Sequence, residues 1–238
     1  NERISITELK VNDEVRLTLL GIVPTDVRDV IYTAGILDVG TGNVKGGFCK
    51  NGDCSALNFP YIESNWGLGK ILATLPANPD LSTIQSTKQY AESADNLIKN
   101  IISTDIGKSL NQSTLRDKKQ ILTTGGIFWA IATLIHPKEV VIEKNNFVQI
   151  TESDVRAFKK MAIENYPTNY SSGTAEINQA IREVTATFPQ DKAIVGATLV
   201  LQLFTEFNKS RVTPKKYYYC KNSVVGWPSG LIIREQSE

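Results

Sequence analysis

The chain predicts a mixed α/β fold, a five-stranded sheet with helices packed on it. Three observations carry this: short strand-like runs cluster between residues 30 and 62, an Asn51-Gly52 pair joins two of them, and apolar residues after residue 80 recur at three and four. The order β-β-β-α-β-α, further helices and a last strand is met most economically by one sheet layered with helices.

The first three strands, Val30–Val39, Gly46–Lys50 and Cys54–Ile62, form an N-terminal hairpin meander. Asn51-Gly52 is a strong hairpin signal, because a type I′ turn needs positive φ at both central positions. Lys50 and Asp53 then form the hydrogen-bonded pair and Cys49 and Cys54 the next, non-hydrogen-bonded one, with Cα atoms expected roughly 4.5–5.5 Å apart. That separation suits a disulfide; two reduced, half-buried thiols are the alternative. Pro76-Ala77-Asn78-Pro79 is a loop, and Ile84, Tyr90, Ala94, Leu97, Ile98, Ile101 and Ile102 mark a helix over Thr83–Thr104. Gln120–Thr124 reads as a buried strand, followed by Gly125-Gly126 and a helix at Ile127–Ile135 that Pro137 stops. Thr151 can cap the next helix, with Asp154 in its first turn where a carboxylate favours the dipole. Ser171-Ser172-Gly173-Thr174 is a loop, and two helices follow at Ala175–Thr187 and Asp191–Asn208. The tail gives a strand, Lys216–Cys220, and a Gly-rich return, Gly226-Trp227-Pro228-Ser229-Gly230, before Leu231–Ile233.

Composition excludes several classes of function. With 26 basic against 25 acidic residues in 238, and no run of Lys or Arg longer than two, there is no electrostatic footprint for duplex nucleic acid or anionic lipid. No apolar run approaches the roughly 18 residues of a membrane span. Three cysteines without a CxxC pair, and one histidine, His136, argue against structural zinc. His136 reads as a surface or capping residue, and Trp66, Trp129 and Trp227 as packing residues.

Two glycine junctions are the candidate chemistry. Gly35-Ile36-Leu37-Asp38-Val39-Gly40-Thr41-Gly42-Asn43 is a buried strand that ends in Asp38 and turns through Gly40 and Gly42. Such a turn lets successive N–H groups converge on a phosphate, while the Asp can hold a divalent cation or orient a water. A plain hairpin is the competing reading. Thr124-Gly125-Gly126 enters a helix directly from a strand, which points helix N-terminal amides at a ligand; a tight structural junction is the alternative.

With Glu14-Val15-Arg16-Leu17-Thr18-Leu19-Leu20-Gly21 upstream, Asp191-Lys192-Ala193-Ile194-Val195-Gly196-Ala197 and the Gly226–Gly230 segment downstream, these junctions resemble the second half of the exopolyphosphatase and guanosine pentaphosphate phosphatase family. The resemblance implies a ribonuclease H-like domain of the sugar kinase, Hsp70 and actin superfamily. Residues 1–29 would be the remnant of the link from a missing first lobe and residues 30–238 the second lobe. It further implies hydrolysis of terminal phosphoanhydrides of polyphosphate or a guanosine pentaphosphate-type nucleotide with Mg²⁺ or another divalent cation. Asp38 would be catalytic and hold the metal or its water; Gly40, Thr41, Gly42 and Asn43 would bind phosphate, and Thr124, Gly125 and Gly126 would face a nucleotide.

Asn43, Val44 and Lys45 stand where the family has Ser, Thr and Glu, which removes a hydroxyl and a carboxylate; Lys45 adds a positive charge toward the phosphate. On the family pattern the first lobe's phosphate loop and catalytic glutamate would precede Asn1. A homodimer is a family expectation. A degenerate, non-catalytic phosphate-binding or protein-interaction module is the alternative function, and a small-molecule kinase half that binds ATP at Gly125-Gly126 a third. A cytoplasmic location is expected, or an exported or periplasmic one if Cys49 and Cys54 are bonded.

Overall fold

The computed structural model describes residues 9–24, 27, 29–167, 173–209 and 215–235. In chain order the elements are α1 (Val11–Ile22), α2 (Val30–Thr33), β1 (Ala34–Val39), β2 (Val44–Gly47), β3 (Tyr61–Ser64), α3 (Leu68–Thr74), α4 (Ile84–Ile101) and α5 (Gly107–Gln112). Then come β4 (Gln120–Thr124), α6 (Gly126–Ile135), α7 (Pro137–Val141), β5 (Phe147–Ile150), α8 (Glu152–Glu164), α9 (Ala175–Thr187), α10 (Gln190–Asn208), β6 (Lys216–Cys220) and α11 (Gly226–Glu235).

The sheet has six strands in the order β3-β2-β1-β4-β6-β5, not five. β1, β4 and β6 run parallel at its centre, and β2, β3 and β5 add antiparallel edges. β5 escaped the sequence pattern because four residues carry too little alternation to register. A parallel centre needs cover on both faces. Leu37 and Val39 of β1 face the larger core, built with α4, α6, α8 and α10, whereas Ala34 and Ile36 face a smaller one with α1. α10 is buried nearly all round, and its Phe204 stacks on Tyr217 of β6 with ring centroids 3.6 Å apart.

Local signals explain most boundaries. Thr83 caps α4 and Thr151 caps α8, each in a reciprocal capping box, the latter with Asp154 as read from the sequence. α4 runs on through a π-helical turn, Ile102–Ile106, into α5. Asn51 and Gly52 take φ of 53° and 80°, and Lys50 pairs with Asp53, the turn the sequence predicts. Cys49 and Cys54 are bonded, with Cα atoms 4.5 Å apart.

Other segments differ from the reading. Val30–Thr33 is a helical turn, so β1 begins at Ala34, and β2 spans Val44–Gly47. Much of Cys54–Ile62 is loop and 3₁₀ turn (Ala56–Asn58), with β3 starting at Tyr61. Ser171 and Ser172 lie outside the described residues. The Gly226–Gly230 return and the run after it are one helix, α11. Its glycines, one turn apart, serve a close approach instead of a turn: a Cβ on Gly21 of α1 would lie 1.8 Å from the Gly226 carbonyl oxygen, and one on Gly230 would lie 1.9 Å from that of Leu17. Among the described residues no helix is long and apolar enough to cross a membrane.

At an ordinary helix position Gly→Ala gains about 1 kcal/mol. Gly21→Ala is instead expected to lose about 1–3 kcal/mol from overpacking against α11, read as a lower urea midpoint. Closing so short a loop, the Cys49–Cys54 bond is worth about 2 kcal/mol, so dithiothreitol should lower the unfolding free energy by that amount. Thiol titration of the denatured, non-reduced protein should find only Cys220.

Candidate functional site

Parallel pairing sets Asp38 of β1 directly beside Thr124 of β4, so both glycine junctions leave the sheet at the carboxyl ends of adjacent strands. Open α/β sheets hold ligands in the crevice outside those ends. Here the crevice is a cavity of about 290 Å³ lined by Glu14 and Thr18 of α1, Asp38, Thr124, Gly125, Gly126 and Trp129 of α6, and Tyr219 and Ser223. α6 begins at the cavity, with the positive end of its dipole there. Gly125 has a φ of 99°, and a Cβ on it would lie 2.3 Å from the Val39 carbonyl oxygen and 2.9 Å from Asp38 Oδ1. Only glycine allows that approach.

Register carries the polar row onward: Thr124 pairs with Asp38, Asp38 with Lys45, and Lys45 with Glu63. The Lys45 side chain, 8% exposed, places Nζ 2.6 Å from Glu14 Oε1 and 3.4 Å from Asp38 Oδ2. Burial pushes the Asp38 carboxyl above its ordinary range. The Lys45 charge opposes this most, followed by hydrogen bonds from Thr124 and Lys45, while the Glu14 charge adds to the rise. Burial also lifts the Tyr219 phenol to about 12, so it stays a neutral donor.

The sequence-predicted residues divide. Asp38, Thr124, Gly125 and Gly126 come together at the cavity. Gly40, Thr41, Gly42 and Asn43 do not line it. The Gly40 N–H donates to the Asn43 carbonyl at 2.9 Å, and the Gly40, Thr41 and Gly42 carbonyls accept from Leu68, Gly69 and Gly67 at 3.0, 2.9 and 3.2 Å. That turn is therefore stitched to the start of α3, and Asn43 Nδ2 reaches Glu63 Oε1 at 3.4 Å. Lys45 is committed to two carboxylates beneath the cavity. Five cavity residues, Glu14, Thr18, Trp129, Tyr219 and Ser223, are not among the sequence-predicted site residues. Glu14 was legible only as part of a linking segment, although Val11, Val15, Thr18 and Ile22 recur at helical spacing around it; Trp129 was read as a packing residue, and it packs edge-on against Phe188 while lining the cavity.

The residues do not fit a divalent cation at Asp38. Among the described residues no group of three or more His, Cys, Asp or Glu could hold a metal ion. The Lys45 ammonium already bridges the two cavity carboxylates, and unit charges about 4 Å apart near a protein surface repel by about 4 kcal/mol, twice that for a divalent ion.

No family model and no curated protein matches the chain. Solved structures match its fold. An exopolyphosphatase from Cytophaga hutchinsonii superposes with a TM-score of 0.55 at 12% identity, over 94% of this chain and 62% of that one. The Ppx/GppA family member of Aquifex aeolicus gives 0.51 at 13%, over 95% and 64%. The type II variant of the Aquifex aeolicus Ppx/GppA phosphatase gives 0.52 at 15%, over 93% and 62%. The chain thus resembles the Ppx/GppA exopolyphosphatase proteins in fold, and it spans 62–64% of the length of these three structures.

Because the folded-state pKa of Asp38 lies above its unfolded value, the stability linked to its proton is full below about pH 4 and is lost as pH rises through the raised value. The stability difference between Asp38→Asn and wild type should therefore shift in the variant's favour as pH rises above about 4, measured by urea midpoints at each pH. A difference that stays flat or moves against the variant as pH rises contradicts the assignment.

Proposed function

We propose that this chain is a phosphatase-like, ribonuclease H-like lobe that binds the terminal phosphoanhydride of polyphosphate or of a guanosine pentaphosphate-type nucleotide at the cavity above β1 and β4. The observation that carries this reading is the meeting of Asp38 and Thr124-Gly125-Gly126, distant in sequence, at one strand edge and one helix N-terminus. The α6 amides would receive phosphate oxygens, and the neutral Tyr219 phenol would donate across the cavity. Glu14, held by Lys45 at one oxygen, would orient and deprotonate the attacking water. The fold likeness to exopolyphosphatases supports the substrate class, and a second lobe closing the cavity would complete the site. The Cys49–Cys54 bond favours an exported or periplasmic setting over the cytoplasm.

A non-catalytic phosphate-binding module is the second reading, favoured by Lys45, whose single positive charge is shared between Asp38 and Glu14.

Trp129 reports on both. Tripolyphosphate should change the intrinsic fluorescence saturably, and the change should vanish in Trp129→Phe. In the form of the protein that releases phosphate, Glu14→Gln should lower kcat by about 10²–10⁴-fold with binding retained. Binding without release in any form would select the second reading, and no binding at all would refute both.

A further inference from the structure

We propose that Lys45 is a tethered substitute for a divalent cation: its ammonium occupies the position between Glu14 and Asp38 that a metal ion would take, so the cavity operates without a metal there and admits one only when Lys45 is removed. Lys45 and Asp38 are direct cross-strand partners in an antiparallel ladder, so both side chains leave the same face of the sheet from adjacent positions. Glu14 descends on them from α1, a separate element, and the three charges meet with Nζ 2.6 Å from Glu14 Oε1 and 3.4 Å from Asp38 Oδ2. Two carboxylates from different elements converging on one point are the oxygen donors a hard divalent ion would use. A lysine ammonium is a compact point charge that meets the same oxygens through N–H donors.

The lysine is held in place. All four β2 residues are buried between β1 and β3, and a Cβ on the adjacent Gly46 would lie 2.6 Å from the Ile36 carbonyl oxygen, so the strand has no room to shift. The carboxylates are more open than the ammonium, at 32% for Glu14 and 21% for Asp38 against 8% for Lys45, so the positive charge lies beneath them instead of in the cavity mouth. An anion entering the cavity would therefore meet carboxylates whose charge Lys45 partly offsets, without recruiting a metal.

This inference stands apart from the phosphoanhydride reading, since its test contains no phosphate. Isothermal titration with Mn²⁺ alone would compare wild type, Asp38→Asn, Lys45→Ala, Lys45→Met and the Lys45→Ala/Asp38→Asn double variant, with circular dichroism as the check on folding. Wild type should show no saturable binding at the site. Each lysine variant should bind Mn²⁺ saturably, at least about tenfold above the detection limit that wild type fails to reach, and the double variant should lose that binding. Saturable binding by wild type that Asp38→Asn abolishes would overturn the proposal whether or not the lysine variants fold. Folded lysine variants that gain no Mn²⁺ affinity would overturn it as well.

Discussion

Parallel pairing of β1 with β4 puts Asp38 beside Thr124, and because the two strands run the same way their glycine turns leave the sheet at one edge. An antiparallel pairing of the same residues would have sent the turns to opposite edges. The cavity, the start of α6 and the approach of Gly125 to the Asp38 carboxyl all follow from this register. So does the size limit at position 125, where a methyl group would strike backbone and carboxylate together.

The buried Lys45 joins this edge to the rest of the molecule. Its ion pairs reach β1 on one side and α1 on the other, and α1 is held in turn against α11 by glycine contacts too close for any side chain. A charged group this well covered is tolerable only with partners of opposite sign, and removing one partner of such a group is more disruptive than the pair is stabilising. The position of α1, and so of Glu14, is therefore set jointly by apolar packing on α11 and by electrostatics at the sheet.

Short-range chemistry made much of the fold legible. The Asn51-Gly52 turn, the Thr151 cap, strand Gln120–Thr124 and the helix at Ala175–Thr187 appear where local pattern put them, because each depends on residues within a few positions. β5 was too short to show a period, and α11 hid behind two glycines that signal turns in isolation. At the site the same division holds. Asp38 and Gly125-Gly126 were readable as strand-to-turn junctions, whereas the diversion of the Gly40–Asn43 turn onto α3 depends on hydrogen bonds to Gly67, Leu68 and Gly69, which no local signal in the turn announces.

By itself the sequence determined a mixed α/β chain with two glycine junctions after buried strands, near-neutral charge, and two cysteines placed to bond across a tight turn. Only the tertiary structure decided that those junctions share one cavity, that Glu14 and Trp129 belong to it, and that Lys45 serves two carboxylates in place of a phosphate. The physical reason is distance along the chain. Periodicity and turn chemistry report on neighbours in sequence, while strand register and helix packing choose which remote side chains meet, and a lysine's partners are chosen at that second level.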